Sequence, residues 1–232
     1  MENLVPWVFP RTIKKLKNFV LKNGKKVEIK RNELINGGTK VSYLLSGSAM
    51  LCYANQEGKL LGASLIFPGS TLGEFPLLTD SVKIFDIMTL TRTEVMEVKT
   101  SVVRAELEAD PEFKKELFDH IIARQYSAII GFIYNSTYPI KYRLIALLMG
   151  LVHSQSHDIR DGDWGEMPKI SQENLARIIN TSRNTVNLLL MELADEGLVR
   201  LEGDMTVKYD SNFIAKPSIT FDMNSSVFNK LN

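Results

Sequence analysis

Cysteine is almost absent: the 232-residue chain holds one, Cys52. That excludes an intramolecular disulfide, and it excludes an iron–sulfur cluster or a structural zinc site built on cysteines. Cys52 itself, within AMLCYA, reads as a small buried strand residue rather than a redox switch. Histidine is nearly as scarce: His120, His153 and His157 are the whole supply, none in metal-ligand spacing, and each reads as a surface or partly buried residue. No apolar run reaches the roughly 18–20 residues needed to cross a bilayer. The N-terminus, MENLVPWVFPRTIKKLKNF, carries its basic residues after the apolar ones, the reverse of a secretory signal. The expectation is a cytoplasmic protein with no membrane partner. A net charge of +1 supplies no bulk field to attract a nucleic acid. There is no phosphate-cradling glycine loop and no nucleophile motif, so neither an enzyme nor a cofactor is expected.

What is present is ordinary in amount, with 44% hydrophobic and 24% charged residues, and fits one large or two small domains. The order is more informative. Between Arg11 and Arg31 stand Lys14, Lys15, Lys17, Lys22, Lys25, Lys26 and Lys30 against Glu28 alone. This reads as a solvated basic face, with a phosphate-facing patch as the other reading. From about Val27 to Val98 come short alternating runs (VEIK, VSYLLSG, AMLCYA, LLGASLIFPG, IFDIMTL, EVMEV) with glycine at or near their ends. Asn55-Gln56-Glu57-Gly58 reads as a hairpin turn. Many closely spaced short strands predict an antiparallel sandwich or barrel.

The period then changes. Asp110 suits an N-cap, with Pro111 and Glu112 in the first turn. Phe118, Ile121, Ile122, Ile129, Phe132 and Ile133 follow at helical spacing until Pro139. The helix is expected to run about 25 residues, roughly 37 Å. Its apolar stripe needs a cover, either the same helix of a second chain or its own barrel. IKYRLIALLMGLVHS signals a further helix, Gln155 to Glu166 a polar loop, and the tail from Asp210 weak order at best.

The strongest signal is KISQENLARIINTSRNTVNLLLMELADEGLVRLEGDMTVK, Lys169 to Lys208. Ser171 can cap a short helix that buries Leu175, Ile178 and Ile179. Asn180-Thr181-Ser182 makes a sharp turn, in which Asn180 tolerates positive φ. Ser182 caps a second helix with Val186, Leu189, Leu190 and Leu193 inside, ended by Gly197. Leu198 to Lys208 reads as a hairpin around Gly203-Asp204. The second helix presents Arg183, Asn184 and Asn187 away from its apolar stripe. Arginine can donate twice to guanine, and asparagine pairs with adenine. Ser171, Gln172, Thr185, Arg200 and Lys208 are candidates for phosphate contacts, which position without specifying.

These blocks resemble the family of the cyclic-AMP receptor protein and the fumarate–nitrate reduction regulator. VSYLLSGSAMLCYANQEGKLLGASLIFPGSTLGE is similar to the family's β-roll, so the resemblance spans about residues 25–208. It implies an α+β chain: an antiparallel β-roll, double-stranded β-helix or jelly roll, over 1–110, a long dimerisation helix over 111–138, a winged helix-turn-helix over 139–210 and a tail over 211–232. It further implies a homodimer on a palindromic operator in double-stranded DNA, a small-molecule effector, and RNA polymerase as partner if the protein activates. In cyclic-nucleotide-binding members a glycine–glutamate pair holds the ribose and an arginine–serine pair grips the phosphate. Gly73 and Glu74 match the first pair. Lys83 and Ile84 stand at the second, beside Phe85, so the bidentate fork and the hydroxyl are both lost. The expected effector site (Gly73, Glu74, Lys83, Ile84, Phe85) is therefore not one for a cyclic nucleotide. Haem would need an axial ligand, and only His120 could face the roll. On the reading helix the family's glutamate and arginine are replaced by Asn184 and Leu188, which predicts an A·T-richer half-site; Leu188 can touch a thymine methyl. The alternative is a ligand-binding interaction protein whose winged helix no longer binds DNA.

Overall fold

The computed structural model describes residues 5–11, 14–35, 39–74, 77, 85–156, 158–202 and 204–213. Among them, helix α1 (Lys14–Asn23) precedes strands β1 (Lys25–Ile29), β2 (Lys40–Ser46), β3 (Ala49–Ala54), β4 (Leu60–Ile66), β5 (Thr71–Leu72), β6 (Asp86–Thr89) and β7 (Thr93–Lys99). Two antiparallel sheets result, ordered β1-β7-β2-β5 and β4-β3-β6. Alternation along the strands turns Ile29, Leu44, Ala49, Ile66, Leu72 and Val95 into one shared core. The expected hairpin stands at its predicted place: Asn55 Oδ1 accepts from the Glu57 and Lys59 amides at 3.1 and 2.8 Å, and Gly58 has φ 75°.

The basic stretch proves to be largely helical. In α1, Leu16 and Val20, four residues apart, are fully buried, while Lys14, Lys17 and Lys22 face solvent. Lys15 reaches Asp110 at 3.0 Å and Glu112 at 2.6 Å.

Helix α2 (Thr100–Ala109) runs into the long helix α3 (Pro111–Thr137). Asp110 caps α3 by accepting from the Glu112 and Phe113 amides, and Tyr138-Pro139 ends it, Pro139 serving in turn as the N-cap of the next helix. The apolar pattern of α3 resolves into two faces. Phe113, Leu117, His120, Ile121, Arg124, Ser127, Gly131 and Tyr134 turn inward. Phe118, Ile122, Tyr126, Ile129 and Phe132 point to solvent. Ile121 thus belongs to the opposite face from Ile122 and Ile129, with which the sequence had grouped it.

Residues 5–9 form a strap that sequence reading did not foresee. Val8 pairs with Leu65 of β4 as an isolated parallel bridge. Ser127 Oγ of α3 donates to the carbonyls of Val5 and Val8 at 2.6 and 2.8 Å, geometries that one hydroxyl proton must share. Trp7 is 1% exposed and has φ 59°, a region costly for a bulky side chain. Its ring sits where Gly131 lacks a side chain: a Cβ there would lie 2.3 Å from Trp7 Cδ1. Gly150 makes the same room for Val5, whose Cγ1 would be 2.3 Å from an added Cβ.

Helix α4 (Ile140–Gln155) leads to β8 (Trp164–Glu166), α5 (Gln172–Ile178), α6 (Arg183–Asp195), β9 (Val199–Arg200), β10 (Thr206–Lys208) and a 3-10 turn, Ser211–Phe213. The segment read as a polar loop contributes β8, which makes the wing three-stranded, β8-β10-β9. One continuous core runs from the strap through β3 and β4 to α4, α5 and α6. The two halves of the chain are packed against each other through it, and a Cβ on Gly62 of β4 would lie 2.6 Å from Ile178 Cδ1 of α5.

Candidate functional site

Helices α5 and α6 are set by their caps and the turn between them. Ser171 Oγ accepts from the Asn174 amide at 3.3 Å, and Ser182 Oγ from the Thr185 amide at 3.1 Å. Asn180 takes φ 52° in the turn, the left-handed conformation that asparagine tolerates. Thr181 N–H closes the bend onto the Ala176 carbonyl at 2.9 Å. Leu175, Ile178, Ile179, Val186, Leu190 and Leu193 are all buried. Each such side chain is worth roughly 1.5–3 kcal/mol of burial, so the packing fixes which way the opposite face points. Leu189, expected inside, is half-buried against the same core.

That opposite face carries the polar residues singled out in the sequence. Arg183, Asn184, Asn187 and Leu188 are exposed on α6, with Leu188 at 67%. Thr185 is half-buried, and its hydroxyl lies 2.8 Å from that of Ser182. Gln172 Nε2 donates to Asn187 Oδ1 at 3.3 Å, which joins the start of α5 to the outer face of α6. Arg200 and Lys208 are exposed on the wing. The Arg200 guanidinium lies 3.7 Å from the centroid of the Trp164 ring, a contact that orients it without consuming its donors. Met191, at 53% exposure, extends the apolar part of this face beyond Leu188, and sequence reading missed it. Gly203, at the tip of the wing, lies outside the described residues.

In the roll, Gly73 has φ 83° and presents Glu74, which is fully buried. Glu74 Oε2 accepts from Arg124 Nη1 at 2.8 Å, and the same Nη1 also donates to the Thr71 carbonyl at 2.7 Å. The Arg124 guanidinium also stands 4.9 Å from the Phe9 ring centroid. Burial pushes the Glu74 carboxyl up, but the charges of Arg124 and His120 and hydrogen bonds from Thr71 and Arg124 outweigh it, and the pKa falls below the usual value. His120 is 4% exposed. Burial first and Arg124 second push it down to about 4, against the opposing pull of Glu74, so it is neutral at physiological pH. The reading of His120 as a surface or partly buried residue gives way here. It faces the roll, as the one histidine that could.

Arg124 is the partner that sequence reading missed. The signal was a charged residue four positions after His120 on the inward face of α3. Phe85 is 40% exposed, its ring 5.9 Å from that of Tyr53, so it sits on the surface while Glu74 is enclosed. Lys83 and Ile84 lie outside the described residues, as does His157. Among the described residues no group of three or more His, Cys, Asp and Glu could hold a metal ion. No described helix is long and apolar enough to cross a membrane.

Comparison with known proteins agrees with this geometry. Residues 142–209 match the model of the Crp-like helix-turn-helix domain. The cAMP-activated global transcriptional regulator CRP of Haemophilus influenzae is 25% identical over 183 residues, 77% of this chain and 81% of its own length. The CRP-like cAMP-activated global transcriptional regulator of Mycobacterium tuberculosis is 21% identical over 181 residues, 77% of this chain and 80% of its own. Among solved structures, FixK2 of Bradyrhizobium japonicum superposes with TM-score 0.70 at 15% identity over 82% of this chain and 95% of that one. CprK complexed with OCPA gives TM-score 0.66 at 17% identity over 92% and 98%. With its reading helix, roll and long helix placed as described, the chain belongs to the CRP/FNR family of DNA-binding transcription regulators.

Proposed function

We propose that the protein is a homodimeric, sequence-specific regulator that reads a palindromic operator and answers to a small-molecule effector other than a cyclic nucleotide. The observation that carries this reading is the outer face of α6, where Arg183, Asn184, Asn187 and Leu188 stand exposed over a fully buried inner face. Arg183 serves as guanine reader, Asn184 and Asn187 as adenine readers and Leu188 as a thymine-methyl contact. Ser171, Gln172, Ser182, Thr185, Arg200 and Lys208 hold the backbone.

Support for the dimer comes from α3. Phe118, Ile122, Tyr126, Ile129 and Phe132 are spaced by fours and threes on one face, and the last three are 55%, 52% and 72% exposed. Such a stripe suits a second copy of the same helix. The division follows: a sensing roll over 1–110, the pairing helix over 111–138, the reading domain over 139–210 and a tail beyond. Symmetry then sets two half-sites about 34 Å apart. Against a cyclic nucleotide stands the engagement of Glu74. Its bond to Arg124 occupies the oxygen a ribose would need, and opening the pair exposes two buried charges. RNA polymerase becomes a partner only if the regulator activates.

Selection from random double-stranded DNA, without ligand and then with cell extract, tests the proposal. Enrichment of one palindrome supports a dimeric reader, and enrichment only with extract supports an effector. No enrichment in either arm refutes DNA reading and leaves the interaction-protein alternative. A TGA-type half-site would refute the assignment of Asn184 and Leu188.

A further inference from the structure

A cleft of about 440 Å³ opens where the roll meets the reading domain. Arg31, Thr91 and Arg92 line it from the roll, and Lys169, Ser171 and Asn174 from the reading domain. Three of these are cations, and no carboxylate is among the described residues that line it. Two of the cations already have acidic neighbours, both weakly held. Arg92 meets Glu28 at 2.5 Å with 74% and 46% of the side chains exposed, and Lys169 lies 3.8 Å from Asp204 with 85% and 72% exposed. Exposed pairs of this kind contribute little and can yield to a stronger anion. Ser171 Oγ accepts from the Asn174 amide, which leaves its hydroxyl proton to donate. The floor is apolar, and the walls are held together where Ile178 meets Gly62.

We propose that this cleft is a phosphate-binding site shared by the roll and the reading domain. It rests on the DNA-reading proposal only for one of its two sources. A phosphate can come from the duplex backbone just outside the half-site, or from a free phosphorylated ligand. The backbone is favoured because the cleft wall adjoins the reading face: Gln172, next to Ser171, bonds Asn187 of α6. The roll then touches DNA directly, so the half that senses also grips. A free oligophosphate would fit as well, since a junction of this size between domains is a common ligand site.

The full-length protein is tested on its selected operator in two lengths: the operator alone, and the operator extended by about ten base pairs, one helical turn, on each side. The slope of log affinity against log salt counts phosphate contacts, at about 0.9 per contact. Arg31→Ala and Arg92→Ala are each expected to lower the slope by about 0.9 on the extended duplex and to leave it unchanged on the short one. Arg92→Lys keeps the charge and should keep the slope. Lys22→Ala, an exposed charge removed from α1, is the control and should change neither slope. In parallel, tripolyphosphate is titrated by calorimetry into the DNA-free protein. If the DNA slopes do not move but Arg31→Ala, Arg92→Ala and Lys169→Ala each weaken tripolyphosphate binding ten-fold or more, the site stands and its source is a free ligand. If neither readout moves, or Lys22→Ala lowers the slopes as much as the cleft variants do, the proposal is overturned. Absence of any salt-dependent binding by the wild-type protein would instead sink the DNA reading and leave the tripolyphosphate arm to decide.

Discussion

Replacing Arg124 with methionine isolates the ion pair that ties the roll to the long helix. Arg124 and Glu74 side chains are 3% and 0% exposed, so Arg124→Met strands a carboxylate in a medium that cannot solvate it. Breaking a buried pair from one side costs about 3–5 kcal/mol, whereas replacing both partners by apolar groups is often nearly neutral. Glu74→Leu alone should cost a similar amount, because it strands the guanidinium. The double variant Arg124→Met/Glu74→Leu should fall short of the sum by roughly 2 kcal/mol or more, the signature of direct coupling. The pH dependence has a definite sign. In the wild type the Glu74 pKa is depressed, so the pair stabilises above the ordinary carboxyl range and its contribution is lost as pH falls through the folded value. Without Arg124, burial raises the same pKa. The penalty in the variant therefore grows as pH rises above the ordinary carboxyl value, and shrinks in acid as Glu74 takes a proton. Urea unfolding of the four proteins at pH 5 and pH 7.5 reads all of this. A cost for Arg124→Met below about 1 kcal/mol, or single-variant costs that add within about 0.5 kcal/mol, would refute the argument.

Gly131→Ala drives a methyl into the Trp7 ring and should cost about 1–3 kcal/mol by overpacking, with a red shift of tryptophan emission if the strap is displaced; unchanged stability and emission would contradict the seat. His120, with a folded pKa of about 4 against about 6.5 unfolded, binds its proton more readily in the unfolded chain, so stability should fall by about 3 kcal/mol as pH drops from 6.5 to 4. His120→Leu should flatten that part of a urea-unfolding pH profile, and a profile as steep as the wild type's would assign the loss to other groups. Ile129→Lys combined with Phe132→Lys places charges in the exposed stripe of α3 and should shift sedimentation from dimer to monomer without lowering helix content; a dimer unmoved by both charges would place the pairing surface elsewhere.

Legibility in the sequence followed how local each determinant is. The cap at Asp110, the left-handed Asn180 and the hairpin at Asn55 act within a few residues, and each stands where the chain predicts it. The reading helix was legible for the same reason: its buried and exposed faces separate by period alone. The lysines of α1 concealed a helix whose signal, Leu16 and Val20 four apart, is only two side chains strong. Strand β8 is three residues long and exists only because Trp164 pairs with Lys208, far along the chain. The strap is the extreme case. Gly131 and Gly150 look like helix defects until Trp7 and Val5 are seen filling them. Arg124 lay in plain view on the inward face of α3, but its partner Glu74 comes from the roll, and no local pattern joins the two.

The central claim, that the outer face of α6 reads DNA sequence, is tested most directly by Arg183→Ala. Affinity of the wild type and the variant is measured on the selected operator and on a scrambled duplex at matched salt. The account predicts a loss of about 1–3 kcal/mol on the operator and little on the scrambled duplex, with specificity relaxed at one position of each half-site. An equal loss on both duplexes would make Arg183 a phosphate contact, and no loss on either would contradict the placement of the reading face.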